Sequence, residues 1–123
     1  MKRIRTIILG IIQFLIPLLL CCQLTIKVVS IPSHTPAEAT LYVAGTMNNW
    51  NPGNTQFTLA KSNNNEYTIT FTPTIGTHKF KFTRGSWATV EGSAQGGFIP
   101  DRTTSYEGSP KTVEVAIAGW EGT

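Results

Sequence analysis

The chain holds 123 residues, with 10 Lys+Arg against 7 Asp+Glu, two cysteines and a sequence pI near 9.1. Three of the basic residues, Lys2, Arg3 and Arg5, open the sequence, which leaves 7 of each sign beyond residue 22. A formally neutral body excludes the basic field that nucleic acid or an anionic membrane would require, and roughly 100 residues suffice for one modest core.

Taken in chain order, the basic start is followed by an apolar run, Ile7 to Leu20, in which Gln13 is the one strongly polar side chain. That arrangement predicts a secretory signal peptide over residues 1–22 and an exported domain over 23–123. The run is short for a bilayer span, which needs about 20 residues. The absence of a clean small-x-small cleavage site keeps an uncleaved N-terminal anchor open as the alternative. Cys21 and Cys22 sit where the apolar run ends, and no cysteine follows them. The domain therefore has no disulfide framework and no thiolate metal site to draw on. Their placement after Leu18-Leu19-Leu20 resembles a bacterial lipoprotein signal, with Cys22 as the lipid-attachment residue. Plain secretion with incidental cysteines is the other reading.

From Leu24 onward the segments are short, β-rich and punctuated. Strands are predicted over Leu24–Ile31, Thr40–Ala44, Glu66–Thr72, His78–Arg84 and Lys111–Ala118, with Thr55–Ala60 as a short edge strand. Gly45 to Asn54 is rich in Asn, Pro and Gly and is expected to be irregular. Alternation turns Phe80 and Phe82 inward and Lys79, Lys81 and Thr83 outward. It likewise sets Tyr67, Ile69 and Phe71 on one face, and Val113, Val115 and Ile117 inward on the last strand. No helical period is sustained. About seven short antiparallel strands in this length read as an all-β, two-layer sandwich, with Trp120 packed at the edge of the body.

Catalysis needs a positioned nucleophile or a pair of ionisable groups. The body offers His34 in a polar loop, His78 on a strand boundary, and scattered serines and acids. Gly45-Thr46-Met47 lacks the Lys-Ser/Thr of a phosphate loop. The expectation is a non-enzymatic domain with no metal and no cofactor. Trp50 and Trp87 are more informative. Each falls in a predicted loop, where an indole either folds back as a lid on the core or presents an apolar face to a partner. With Lys81 and neighbouring Asn49, the two rings would make a flat apolar platform rimmed by donors, suited to the CH faces and hydroxyls of sugars.

Leu41-Tyr42-Val43-Ala44-Gly45-Thr46-Met47-Asn48-Asn49-Trp50, followed by His78-Lys79-Phe80-Lys81-Phe82-Thr83-Arg84-Gly85-Ser86-Trp87, resembles the starch- and glycogen-binding modules of amylases and glucoamylases. Lys27 to Pro32 and Pro100-Asp101-Arg102-Thr103 extend the likeness across nearly all of the chain beyond the leader. The resemblance implies an immunoglobulin-like β-sandwich that binds α-1,4-linked glucan without cleaving it. Trp50 and Trp87 would stack on glucose rings, and Lys81 would donate to hydroxyls. Asp101 stands where the family usually has an asparagine, and a carboxylate accepts from a hydroxyl but cannot donate as an amide does. Such modules usually accompany a catalytic domain. The expected roles are thus a free-standing, secreted or membrane-tethered glucan binder with a separately encoded partner enzyme, a protein-interaction module on the same scaffold, or a remnant of a larger glycan-active enzyme.

Overall fold

The computed structural model describes residues 22–123. Apart from Cys22, which is exposed, the expected leader lies outside the described residues.

Period-two alternation builds the first sheet. Strand β1 (Leu24–Ser30) buries Leu24, Ile26 and Val28 and leaves Thr25 and Lys27 partly in water. It pairs antiparallel with β4 (Tyr67–Phe71), so that Ile26 faces Ile69 and Val28 faces Tyr67. On its other side it runs parallel to β8 (Lys111–Ala116), with the register shifting between Val28 and Ser30. The two-residue β3 (Ala60–Lys61) completes the order β3-β4-β1-β8. The second sheet sets β5 (Gly76–Thr83) between β2 (Tyr42–Gly45) and β7 (Arg102–Tyr106), both pairings antiparallel. A small ribbon joins β6 (Glu91–Gly92) to β9 (Gly119–Trp120).

One buried cluster draws on both larger sheets: Ile26, Val28, Tyr67 and Ile69 from the first, Val43, Phe80 and Phe82 from the second. An all-β domain with its core between two sheets is sandwich-like. The Phe80 and Phe82 rings meet edge to face at 5.7 Å, and truncating a buried Phe of this kind costs about 3–5 kcal/mol. Trp120 joins the interior rather than its edge. It is fully buried, its Nε1–H donates to Thr35 Oγ1 at 2.8 Å, and the Arg84 guanidinium lies over its ring. The start of the described chain is pinned as well. The Tyr106 hydroxyl donates to the Cys22 carbonyl, and Lys111 N–H donates to Gln23.

Four further expectations change. The described residues form nine strands rather than about seven, and β8 runs parallel to β1, so the sheets are not wholly antiparallel. Thr55–Phe57 is a 3-10 turn, not part of an edge strand, because Asn54 Oδ1 accepts from Gln56 N–H at its start. Pairing resumes as a bridge from Thr58 to Tyr42 and then as β3. Strands β6, β7 and β9 fall where none was predicted, β6 ending as the glycine-rich run Gly92 to Gly97 begins. Finally, Lys81 is buried, although alternation correctly puts it opposite Phe80 and Phe82. That face of β5 is therefore not open to solvent at this point.

Candidate functional site

The loop after β2 begins with a steric requirement. A side chain on Gly45 would put its Cβ 2.3 Å from the Lys79 carbonyl oxygen and 2.8 Å from Phe80 Cβ, so only glycine lets β2 lie this close to β5. Thr46–Asn48 then makes one 3-10 turn. Asn48 holds it: Oδ1 accepts from Gly45 N–H at 3.0 Å, and Nδ2 donates to the Val43 carbonyl at 2.9 Å. Its amide is spent on the loop itself. Asn49 and Trp50 follow with φ of 56° and 58°, two successive left-handed residues. Asn tolerates this conformation, whereas an indole-bearing residue adopts it at a cost on the order of 1–3 kcal/mol. Trp50 N–H is held by the Gly45 carbonyl at 2.9 Å.

The second loop leaves β5 through Gly85, whose φ of 117° suits only glycine. Trp87–Thr89 forms a 3-10 turn closed by Thr89 N–H to Ser86 and by Arg84 N–H to Thr89. The two loops meet. The Thr83 hydroxyl donates to the Pro52 carbonyl, and Gly53 sits against the Gly85 carbonyl. The result is that Trp50 and Trp87 lie with ring centroids 6.4 Å apart and planes inclined at 37°, within the range of interacting aromatic pairs. Neither belongs to the buried core. Trp87 is 45% exposed and Trp50 half-buried.

The other expected site residues are placed differently from one another. Lys81 is only 6% exposed, and its ammonium lies 4.3 Å from the centroid of the Phe98 ring. Phe98, carried on the Gly-rich loop, thus lies against the end of the Lys81 side chain. Asn49 and Asp101 are both exposed, and their side chains have no hydrogen-bond partner among the described residues. The structure brings Trp50 to Trp87; it shows no contact joining Asn49 or Asp101 to them.

Sequence reasoning also missed the polar anchor behind the site. Glu91 is fully buried and accepts Arg102 Nε–H at 3.0 and 3.2 Å, Arg102 Nη2–H at 3.0 Å and Phe82 N–H at 3.1 Å. Arg102 also donates to the Ala116 carbonyl at 2.8 Å. This pair fixes the strand beside Asp101 to the segment following Trp87. His78 is likewise committed to structure. Its Nε2 lies 2.7 Å from the Thr74 carbonyl, which can only accept, so Nε2 carries a proton, and its Nδ1 lies 2.9 Å from the Thr46 hydroxyl. His34 is exposed, near Thr123. Among the described residues no group of three or more His, Cys, Asp and Glu side chains lies together. The chemistry on offer is apolar ring faces with hydrogen-bonding groups nearby.

Comparison with known proteins adds a direction. Over 94 residues, 76% of its length, the chain is 37% identical to an alpha-amylase of Niallia circulans. It is 39% identical over 77 residues to an amylopullulanase of Thermoanaerobacter thermohydrosulfuricus, and 44% over 66 residues to one of Thermoanaerobacterium thermosulfurigenes. The chain is a distant relative of a small part of these enzymes. It spans 7%, 5% and 3% of their respective lengths. No family model matches it.

Proposed function

We propose that this chain is a non-catalytic, starch-binding-like module on an immunoglobulin-like β-sandwich, taking α-1,4-linked glucan on the Trp50–Trp87 pair. The carrying observation is that two loops, one after β2 and one after β5, hold two indoles 6.4 Å apart outside the core, one of them in a strained left-handed backbone. A tilted aromatic pair suits a curved run of glucose units better than a flat one, and Asn49, Asp101 and Lys81 are the polar groups assigned to its hydroxyls. The named activities of the relatives, alpha-amylase and amylopullulanase, support α-glucan as the ligand class. Matching so small a share of each fits an accessory module better than their chemistry. The reading goes with export of the domain, with lipid attachment at Cys22 as its membrane-tethered form, and with a catalytic partner supplied separately.

Calorimetric titration with maltoheptaose and β-cyclodextrin, with cellohexaose as the linkage control, tests it. Binding of the α-linked ligands alone is expected. Trp50→Ala is expected to weaken that binding about tenfold or more, since aromatic contacts contribute on the order of 1 kcal/mol beyond area and 1.4 kcal/mol is a factor of ten. Undiminished affinity in folded Trp50→Ala would remove the site assignment. Silence of the wild type toward every glucan would leave the pair as an anchor for a protein partner.

A further inference from the structure

Phe98 is 75% exposed, the most open large apolar side chain of the described residues. A single exposed phenylalanine is ordinary on a protein surface, but this one has a specific neighbour. Its ring sits 4.3 Å from the Lys81 ammonium, and among the described residues that ring is the ammonium's one partner. An ammonium has three N–H donors, and an aromatic face answers one direction of its charge without supplying an oxygen. The Lys81 side chain is buried as a whole, but its ammonium nitrogen is not among the buried unpartnered atoms, so water reaches it. Hydroxyl oxygens brought by a ligand would take the place of that water. With one face of the ring turned to Lys81, the exposure of Phe98 belongs to its edge and its other face.

The position relative to the tryptophans follows from the strand. Lys81 and Thr83 are two residues apart on β5 and share a face. The Thr83 hydroxyl holds Pro52, two residues beyond Trp50. Phe98 therefore meets a side chain from the same face of the sheet, one side-chain step along from the loop that carries Trp50. Resting on the glucan reading above, we propose that Phe98 is a third stacking residue, continuing the Trp50–Trp87 surface, and that Lys81 donates to hydroxyls of the sugar unit seated against it. Phe98 then makes the module read chain length. A glucan that covers only the tryptophan pair does not reach it, and a longer one does.

The test is titration of the wild type, Phe98→Ala, Phe98→Leu and Phe98→Trp with maltotriose and with maltoheptaose. Phe98→Ala is expected to weaken maltoheptaose about three- to tenfold, the range of one aromatic contact, while leaving maltotriose within about twofold. Phe98→Leu, which keeps an apolar cover over Lys81 but no flat ring, is expected to behave like Phe98→Ala, and Phe98→Trp to bind as the wild type does. The residue is exposed, so thermal midpoints are expected within about 3 °C of the wild type. A Phe98→Ala protein that binds both sugars normally, or a Phe98→Leu protein with full affinity, overturns the third-ring assignment and leaves the tryptophan site intact. Equal losses on both sugars overturn length reading. A wild type that binds neither overturns the glucan reading and this inference with it.

Discussion

Replacing Arg102 by Met would leave the Glu91 carboxylate in place, fully buried, with the Phe82 N–H as its remaining donor of those the structure shows. Three charge-assisted contacts of 3.0 to 3.2 Å would vanish at once. Removing one member of a buried pair costs about 3–5 kcal/mol, because the other charge stays desolvated. That is a large share of the roughly 5–15 kcal/mol that holds a domain together. For a domain of about 100 residues it lowers the thermal midpoint by roughly 15–30 °C, and with a urea slope near 2 kcal/mol/M it moves the midpoint by about 2 M. Glu91→Gln should cost less, since the Arg102 side chain keeps 24% exposure and can turn its charge to water. The double variant should be more stable than Arg102→Met alone, because the orphaned charge is gone while the Gln oxygen still accepts from Phe82 N–H. Urea unfolding of all four proteins completes the cycle. A loss under about 1 kcal/mol in Arg102→Met, or simple additivity in the double variant, would refute this account of what fixes β6 to β7.

Two further outcomes concern the loop after β2. Trp50→Gly should be more stable than Trp50→Ala by about 1 kcal/mol, because glycine occupies the left-handed backbone without the Cβ penalty; equal or reversed stabilities in denaturant titrations would show that the φ of 58° stores no strain. Gly45→Ala should destabilise by about 2 kcal/mol or more, since backbone cannot yield to a contact at 2.3 Å. A variant within 0.5 kcal/mol of the wild type, roughly the spread of harmless surface changes, would mean β2 and β5 separate easily.

The alternation of Ile26 with Val28, Tyr67 with Ile69 and Phe80 with Phe82 was readable because each strand has one core face, and a period of two reports that face directly. Pairing direction is not encoded in that period, so the parallel neighbour of β1 was hidden. The burial of Lys81 was hidden for a different reason. Its ammonium meets Phe98, on a glycine-rich loop whose path no local pattern specifies. Trp50 and Trp87 were legible as candidates since large aromatics in turn-rich segments are conspicuous. Their meeting depends on the close approach at Gly45 and on Thr83 holding Pro52. The glycine in Gly45-Thr46-Met47 was a hint, but a glycine alone does not say whether space or a positive φ requires it. Glu91 and Arg102 left a weaker trace: an acid beside Gly92 and a basic residue in a threonine-rich run. Nothing in either position announces that two opposite charges meet in the interior.

The pinning of Cys22 to Tyr106 fixes where the chain enters the sandwich. Tyr106 pairs with Gly76, at the start of β5, whereas the tryptophan loops gather around Thr83 at its end. Seven residue steps along a strand cover roughly 23 Å. Whatever is joined ahead of residue 22, whether an acyl chain, a linker or an affinity tag, is thus attached toward the Gly76 end of β5. A molecule immobilised by that end would hold the Thr83 end of the strand, where the two tryptophan loops touch, away from its support.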